Sequence, residues 1–129
     1  MKNSISIQQL KKDIKKFVKE RSWEEFHSPK NLSMSLSIEA AELMEHFQWT
    51  NTVDEAVKVL KDKRKRSEVE DEVADIAIYL IDFCNLYNVD LEKVILKKMK
   101  KNVKKYPAKR VKGESEKYTF YKRQREKNR

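Results

Sequence analysis

The chain has 129 residues and a formal net charge of +9, and 40% of its residues are charged. One cysteine excludes an intrachain disulfide, and the scarcity of glycine and proline disfavours a fold rich in tight turns. No apolar run approaches the roughly 20 residues that span a bilayer, and the first residues do not have the pattern of a signal peptide. The composition predicts a soluble, cytoplasmic, all-α protein without a membrane partner.

The positive charge is concentrated near the C-terminal end. Residues 1–96 contain 15 Lys and Arg and 18 Asp and Glu, a balance of −3, whereas residues 97–129 contain 15 Lys and Arg and three Glu, a balance of +12. We therefore predict a helical catalytic domain over residues 1–108 and a basic tail over residues 109–129, part of which we expect to be disordered. Such a tail suits a nucleic acid and equally suits a polyphosphate substrate.

The first predicted helix carries an apolar stripe from Ile7 to Val18 at steps of three and four residues. Ser4 or Ser6 can cap its N-terminus, because a serine hydroxyl accepts from a free amide of the first turn. The rest of the helix is rich in lysine, so we interpret the stripe as a face that packs in the core.

A loop over residues 21–33 follows the first helix and is unusually aromatic. Trp23 and Phe26 can fill the core from this loop, or they can border a pocket for a flat ligand. In the second interpretation, Lys30 and Asn31 lie near the polar end of that pocket. The residues alone leave both alternatives open.

The second predicted helix runs from about Ser33 to Trp49, and its widespread apolar positions are typical of a central helix. Two carboxylates, Glu39 and Glu42, interrupt this apolar coverage one turn apart. Burial of a carboxylate is costly unless a cation or a proton accompanies it. Glu45 continues the same spacing, so a solvated acidic edge is the alternative interpretation of this pair.

The next long helix repeats the acidic pair. A short amphipathic stretch over residues 53–60 and a charged connector over residues 61–66 precede it. Ser67 begins an S-x-x-E capping box, which predicts a helix from Glu68 to about Tyr87. Glu72 and Asp75 lie at i and i+3 within it, directly before a strongly apolar segment.

Two helices that each carry such a pair can face each other and form a cage of carboxylate oxygens. The predicted metal ligands, which are also the predicted catalytic residues, are Glu39, Glu42, Glu72 and Asp75. Hard oxygen ligands without a His or Cys cluster favour Mg²⁺, with Mn²⁺ as a possible substitute. The expected chemistry is metal-assisted attack of water on a phosphoanhydride. A di-iron centre is disfavoured, because neither histidine has the Glu-x-x-His spacing from these acids.

The last predicted helix begins after Asp90, a suitable N-cap, and ends near Lys105, because Tyr106-Pro107 stops it. Its lysines can neutralise the phosphates of a substrate that the acidic cage binds.

Several segments carry a family resemblance. The sequences EAAEL at 39–43, HFQW at 46–49 and DEVADIAIYL at 71–80 resemble the MazG-like all-α nucleoside triphosphate pyrophosphohydrolases, whose signature is E-x-x-E followed by E-x-x-D. The similarity is greatest to the dCTP pyrophosphatase branch. It extends over RSWEEFHSPKNLSMSL at 21–36, DLEKVILKKMKKNVKKYPA at 90–108 and KYT at 117–119.

This resemblance implies that the four acids hold Mg²⁺ and that a (deoxy)nucleoside triphosphate, such as dCTP or a modified analogue, is converted to the monophosphate and pyrophosphate. The positions that match substrate-binding segments of the branch are Trp23, Glu24, Glu25, Phe26, His27, Trp49, Tyr79, Asn102 and Tyr106. Lys30 and Asn31 complete the predicted substrate-binding residues, from the loop pocket described above. Ile14 replaces a base-contacting histidine of the branch, so the resemblance does not carry over a preference for cytosine.

The expected assembly is a homodimer or homotetramer. The resemblance implies a homo-oligomer, and a lone bundle of four or five helices with acids inside is difficult to close, so we expect subunits to complete one another's core.

A different class of function is the alternative. The chain could be a non-catalytic helical module that binds nucleic acid through its basic tail. Such binding would be sensitive to salt and would survive substitution of the four acids, whereas hydrolysis would not.

Overall fold

The computed structural model describes residues 4–113 and 118–127, and regular structure in these ranges is entirely helical. The elements are α1 Ile7–Glu20, a 3₁₀ turn Trp23–Glu25, α2 Pro29–Glu45, α3 Val53–Lys61, α4 Lys63–Leu86, α5 Leu91–Lys105, α6 Ala108–Val111 and α7 Tyr118–Lys127. The predicted all-α class is confirmed. Lys117, the first residue of the KYT segment, lies outside the described residues.

The first and the last predicted helix begin at the predicted caps. The Ser6 hydroxyl accepts from the Gln9 amide at 3.1 Å, and α1 follows it. The Asp90 carboxylate accepts from the Lys93 amide, also at 3.1 Å, and α5 begins at the next residue. In both cases a side-chain oxygen satisfies an amide that the helix itself leaves without a partner.

Helix α2 is shifted towards the N-terminus relative to the prediction. The Ser28 hydroxyl accepts from the Asn31 amide at 3.1 Å, and Pro29 is the first helical residue. Proline suits this position because its φ is already helical and its missing N–H is not needed there. The helix ends at Glu45 and a turn covers residues 46–49, so the prediction of a helix to Trp49 is wrong.

Helix α4 begins at Lys63, several residues before the predicted start. The Asp62 carboxylate caps it by accepting from the Lys65 amide at 2.9 Å. Two ion pairs at i, i+4, Arg64–Glu68 and Arg66–Glu70, then link the basic run to the acidic one. These local pairs favour helix through residues 63–66. The predictions of a connector over residues 61–66 and of a cap at Ser67 are wrong.

Helix α4 is also the central helix of the first compact unit, which extends to Val89. It packs against α1, α2 and α3, whereas the sequence predicted this role for α2. The apolar residues buried in this unit are Val18, Leu32, Val69, Ile81 and Cys84. Three of these five belong to α4, so this helix supplies most of the buried surface that holds the unit together.

Much apolar surface remains uncovered in a single copy. In the first unit, Met34, Ile38 and Val73 are each more than half exposed. Exposure of several large apolar side chains at neighbouring turns is unusual for a monomer that functions alone. None of the described helices has the length and apolar character needed to traverse a bilayer.

The second unit begins at Asp90 and contains α5, α6 and α7. Helix α7 occupies residues for which we expected partial disorder, and the small number of apolar residues there, without a helical repeat, explains why the sequence pattern did not indicate it. The predicted boundary between residues 108 and 109 stays a prediction.

Candidate metal centre and adjoining aromatic segment

Three of the four predicted ligands form one cluster. Because α2 and α4 pack together, the carboxylates of Glu39, Glu72 and Asp75 converge, and each offers an oxygen within 4.8 Å of the others. The i, i+3 spacing of Glu72 and Asp75 places both on one face of α4. All three side chains are partly buried.

The electrostatics of the cluster are unfavourable without a cation. Partial burial, followed by hydrogen bonding and repulsion among neighbouring acids, raises the pKa of Glu39 to about 7. Burial is also the main cause that raises the pKa of Glu72. Glu42 lies outside the cluster of three, yet its carboxylate is close enough to raise the pKa of both. The four acids therefore compete for the same small space.

A divalent cation fits these residues. The Oε2 atom of Glu39 is buried and has no hydrogen-bond partner, which is costly for a carboxylate oxygen. A cation would satisfy that oxygen and offset the repulsion between Glu39, Glu72 and Asp75. Carboxylate oxygens are the donors that hard divalent cations prefer.

His46 adjoins the cluster, although the sequence did not predict it as a site residue. It lies in the first position after α2, four residues beyond Glu42, and its Nε2 is 4.0 Å from Glu72 Oε1. The i, i+4 step from Glu42 was a usable signal, because it places His46 on the same side as the acids.

The aromatic segment before α2 is only partly buried. The ring of Trp23 packs edge-to-face against Phe17, with centroids 5.6 Å apart, yet Trp23 remains 42% exposed. Phe26 is 65% exposed. The alternative in which Phe26 fills the core is therefore wrong, and Trp23 contributes only one side to packing. The open surface of both rings faces solvent in a single copy.

His27 is the anchored residue of this segment. Its Nδ1 lies 2.6 Å from Oδ2 of Asp82, on α4, and its carbonyl oxygen accepts from the Tyr87 hydroxyl at 2.7 Å. The sequence did not predict this pair, because the two residues are far apart in the chain. The available signal was an acid within the apolar stretch of α4.

The other predicted substrate-binding residues are distributed over both units. Glu24 and Glu25 lie exposed in the 3₁₀ turn, and Lys30 is exposed in the first turn of α2. The side-chain amide of Asn31 donates to the Phe26 carbonyl at 2.9 Å, so this side chain helps to hold the aromatic segment in place.

Trp49 lies in the turn after α2 and is 85% exposed, whereas Tyr79 is half-buried on α4. Asn102 and Tyr106 lie in the second unit, on α5 and at its C-terminal cap. Their predicted contact with substrate stays a prediction.

Comparison with known proteins gives consistent results. The MazG-like family matches residues 34–119. The dCTP pyrophosphatase 1 of Homo sapiens is 38% identical over 120 residues, which cover 90% of this chain and 70% of that protein. The Rattus norvegicus protein of the same name is 34% identical over 120 residues, which again cover 90% of this chain and 70% of that protein. The crystal structure of a pyrophosphatase from Archaeoglobus fulgidus aligns with a TM-score of 0.75 at 40% identity, covering 83% of this chain and 97% of that one.

Proposed function

The chain belongs to the MazG-like family, and on that premise we propose that it is a Mg²⁺-dependent nucleoside triphosphate pyrophosphohydrolase. It converts a (deoxy)nucleoside triphosphate to the monophosphate and pyrophosphate. The named activity of its relatives supports dCTP or a modified analogue as the substrate. The observation that carries the proposal is the convergence of Glu39, Glu72 and Asp75, since three carboxylates this close together can hold a divalent cation.

The acidic cluster holds the cation in this proposal. Glu39, Glu72 and Asp75 supply oxygens directly, and Glu42 completes the predicted set of four ligands. When bound, Mg²⁺ offsets the charge of the triphosphate and increases the electrophilicity of phosphorus. Hydrolysis consumes one water and breaks one phosphoanhydride bond, and the products leave as monophosphate and pyrophosphate. Mn²⁺ can substitute, because it accepts the same oxygen donors.

The aromatic residues bind the base. The exposed faces of Trp23 and Trp49 are available for stacking, which is favourable for any base because every base has a π-face. The further candidates for this contact are Glu24, Glu25, Phe26, His27, Lys30, Asn31 and Tyr79.

The basic helix α5 serves the phosphates. Asn102 and Tyr106, with the lysines around them, offer hydrogen-bond donors and positive charge to a triphosphate. This role concerns six of the 15 basic residues over 97–129, the lysines that lie on α5. We place the protein in the cytoplasm, where nucleoside triphosphates are abundant.

The active form is a homo-oligomer, a dimer or a tetramer. The uncovered apolar side chains of both units support this assembly, because their burial against a second copy would remove them from water.

Substitution of the acids tests the proposal. We expect Glu42→Gln and Asp75→Asn each to reduce dCTP hydrolysis by at least about 100-fold with retained helix content by circular dichroism, because both remove negative charge from the cation site. Glu45→Gln is the matched control, since Glu45 has the same spacing on α2 but is exposed. Full activity of both site variants would refute the assignment of the site.

The same variants distinguish the proposed hydrolase from the alternative, a non-catalytic module that binds nucleic acid. Salt-sensitive binding of DNA in a gel-shift titration that both acid variants retain, together with inactive wild-type protein, would favour a non-catalytic module.

A further inference from the structure

We propose that Asp82 is a positioning residue for the nucleotide site: it holds the His27 ring, and His27 in turn holds Trp23 in place to receive the base. The inference rests on the proposed function, because it concerns the same substrate. The only local signal at Asp82 is an acid within the apolar stretch of α4, and Asp82 is not among the substrate-binding residues that the sequence predicts.

Burial of Asp82 is the first observation. It is 2% exposed, and among the described residues it is the only charged side chain that is fully buried. Removal of a carboxyl group from water requires a partner that compensates for the lost hydration. His27 Nδ1, at 2.6 Å, is such a partner, and it links the centre of α4 to the aromatic segment.

The second observation is how firmly α4 holds this segment. Tyr87, the residue that caps the C-terminus of α4, donates its hydroxyl hydrogen to the His27 carbonyl at 2.7 Å. His27 is thus fixed through both its ring and its backbone. Its amide in turn donates to the Trp23 carbonyl at 3.1 Å, and the two rings lie 6.0 Å apart between centroids. His27 therefore holds Trp23 from one side, while the Phe17 ring packs against it and the Phe26 amide donates to its carbonyl at 2.9 Å.

The third observation is the register of α4. Glu72, Asp75, Tyr79 and Asp82 follow one another at steps of three, four and three residues, which keeps them on one side of a helix. Asp82 lies roughly 10 Å along the axis from Asp75, from a rise of about 1.5 Å per residue. One helix face therefore carries metal ligands at one end and the anchor of the aromatic segment at the other. This arrangement fixes the distance between the phosphate side and the base side.

Asp82 itself does not contact the nucleotide. It lines a small cavity together with Lys15, Lys19, Glu24 and Asn85. Because Asp82 is only 2% exposed, a base has almost no access to its carboxylate. The role of Asp82 is therefore exerted through His27.

The test compares Asp82→Leu with Asp82→Asn. Leucine keeps the branching at Cγ, although it is larger, and removes the bond to His27. The asparagine amide can donate or accept and so preserves this bond. Asn85→Leu is the control, because Asn85 lies one turn along α4, lines the same cavity and bonds to the Lys11 carbonyl at 3.0 Å instead. We expect Asp82→Leu to raise the KM for dCTP about tenfold with kcat changed less than about twofold, and Asp82→Asn and Asn85→Leu to stay within about threefold of wild type.

Fluorescence tests the positioning without substrate. In a Trp49→Phe background, Trp23 is the only tryptophan. We expect Asp82→Leu to shift its emission to longer wavelength and to increase its quenching by acrylamide, whereas Asp82→Asn and Asn85→Leu leave both unchanged.

Three results would overturn the inference. Unchanged Trp23 emission in Asp82→Leu, or an equal KM in Asp82→Leu and Asn85→Leu, would show that Asp82 does not position this segment. A wild-type protein that hydrolyses no nucleotide would overturn the proposed function itself, and the nucleotide role of Asp82 with it.

Discussion

At the scale of single residues, the Glu39 carboxyl determines much of the behaviour of the candidate site. Three other acids surround it, one of its oxygens is buried without a partner, and its pKa lies at about 7. A proton or a divalent cation relieves this repulsion, so the two compete for the same place. Metal binding at this cluster would therefore be coupled to pH and to stability.

Thermal stability of the metal-free protein should fall as pH rises from about 4.5 to about 7. The pKa of Glu39 is about 7 in the folded state and 4.5 ordinarily, so within this window the folded state retains a proton that the unfolded state has released. Each increase in pH then favours unfolding. Glu39→Gln removes this contribution. We expect the decline in Tm over this pH window to be about 3 to 5 °C smaller in Glu39→Gln than in wild type.

Differential scanning fluorimetry in the presence of a chelator measures this effect. Glu45→Gln should keep the wild-type pH dependence. An equal decline of Tm in Glu39→Gln and wild type would contradict the assignment of the raised pKa to Glu39.

Divalent cations should reverse the loss of stability. We expect millimolar Mg²⁺ or Mn²⁺ to raise the Tm of wild type by about 5 °C at pH 8 and by much less at pH 5, because binding to the folded state stabilises it and protons compete at low pH. The gain should be absent from Asp75→Asn. An identical gain in that variant at pH 8 would place the cation elsewhere.

At the scale of elements, α4 connects the fold to the site. It contacts α1, α2 and α3, it carries Glu72 and Asp75, and through Asp82 and Tyr87 it anchors the aromatic segment. The start of this helix is defined by Asp62, whose pKa is lowered mainly because its carboxylate accepts from the Lys65 amide. Stability of the helix start therefore depends on Asp62 and not on Ser67.

Two alanine substitutions test this start. Asp62→Ala should lower the Tm by about 3 °C, because the first-turn amides lose their acceptor. Ser67→Ala should leave Tm unchanged or raise it slightly, since alanine has the higher helix propensity at an interior position. Thermal unfolding by circular dichroism at neutral pH distinguishes the two variants. A larger loss in Ser67→Ala than in Asp62→Ala would support a helix that begins at Ser67.

Local patterns predicted the elements that local interactions determine. The caps at Ser6 and Asp90 depend on neighbours three residues away, and both were predictable. Ser67 was mistaken for a cap because its S-x-x-E spacing is also found inside a helix. The i, i+4 pairs that extend α4 are visible in the sequence, but their effect depends on the competing cap at Asp62.

The site was predictable in composition and not in geometry. Spacing indicated that Glu39 and Glu42 share a face of α2 and that Glu72 and Asp75 share a face of α4. The packing of α2 on α4 brings Glu39, Glu72 and Asp75 together. No spacing rule relates His27 to Asp82, because tertiary packing alone joins them. The exposure of Trp49 likewise follows from the end of α2 at Glu45, which the apolar pattern did not indicate.

At the scale of the whole molecule, a single copy leaves extensive apolar surface in water. On α5, Leu96, Met99 and Val103 recur at steps of three and four residues and are each more than half exposed. A helix with such an uncovered stripe normally packs against another element. We therefore propose this face as part of the interface of the homo-oligomer that we propose.

A charge on this face should weaken the assembly. We expect Met99→Glu to shift the sedimentation coefficient towards that of a monomer and to reduce activity at low protein concentration, because a buried unpaired carboxylate is costly. Lys93→Glu changes the charge in the first turn of α5 and should keep the wild-type oligomer. Sedimentation velocity at several protein concentrations measures the oligomeric state of both variants. An unaltered oligomer in Met99→Glu would exclude this face of α5 from the interface.

The identity of the reaction products tests the central claim most directly. Wild-type protein is incubated with Mg²⁺ and dCTP, and the phosphorus-containing products are followed by ³¹P NMR and mass spectrometry, with Asp75→Asn as the inactive control. Our account predicts one deoxycytidine monophosphate and one pyrophosphate for each nucleotide consumed. Formation of the nucleoside diphosphate and orthophosphate would contradict it.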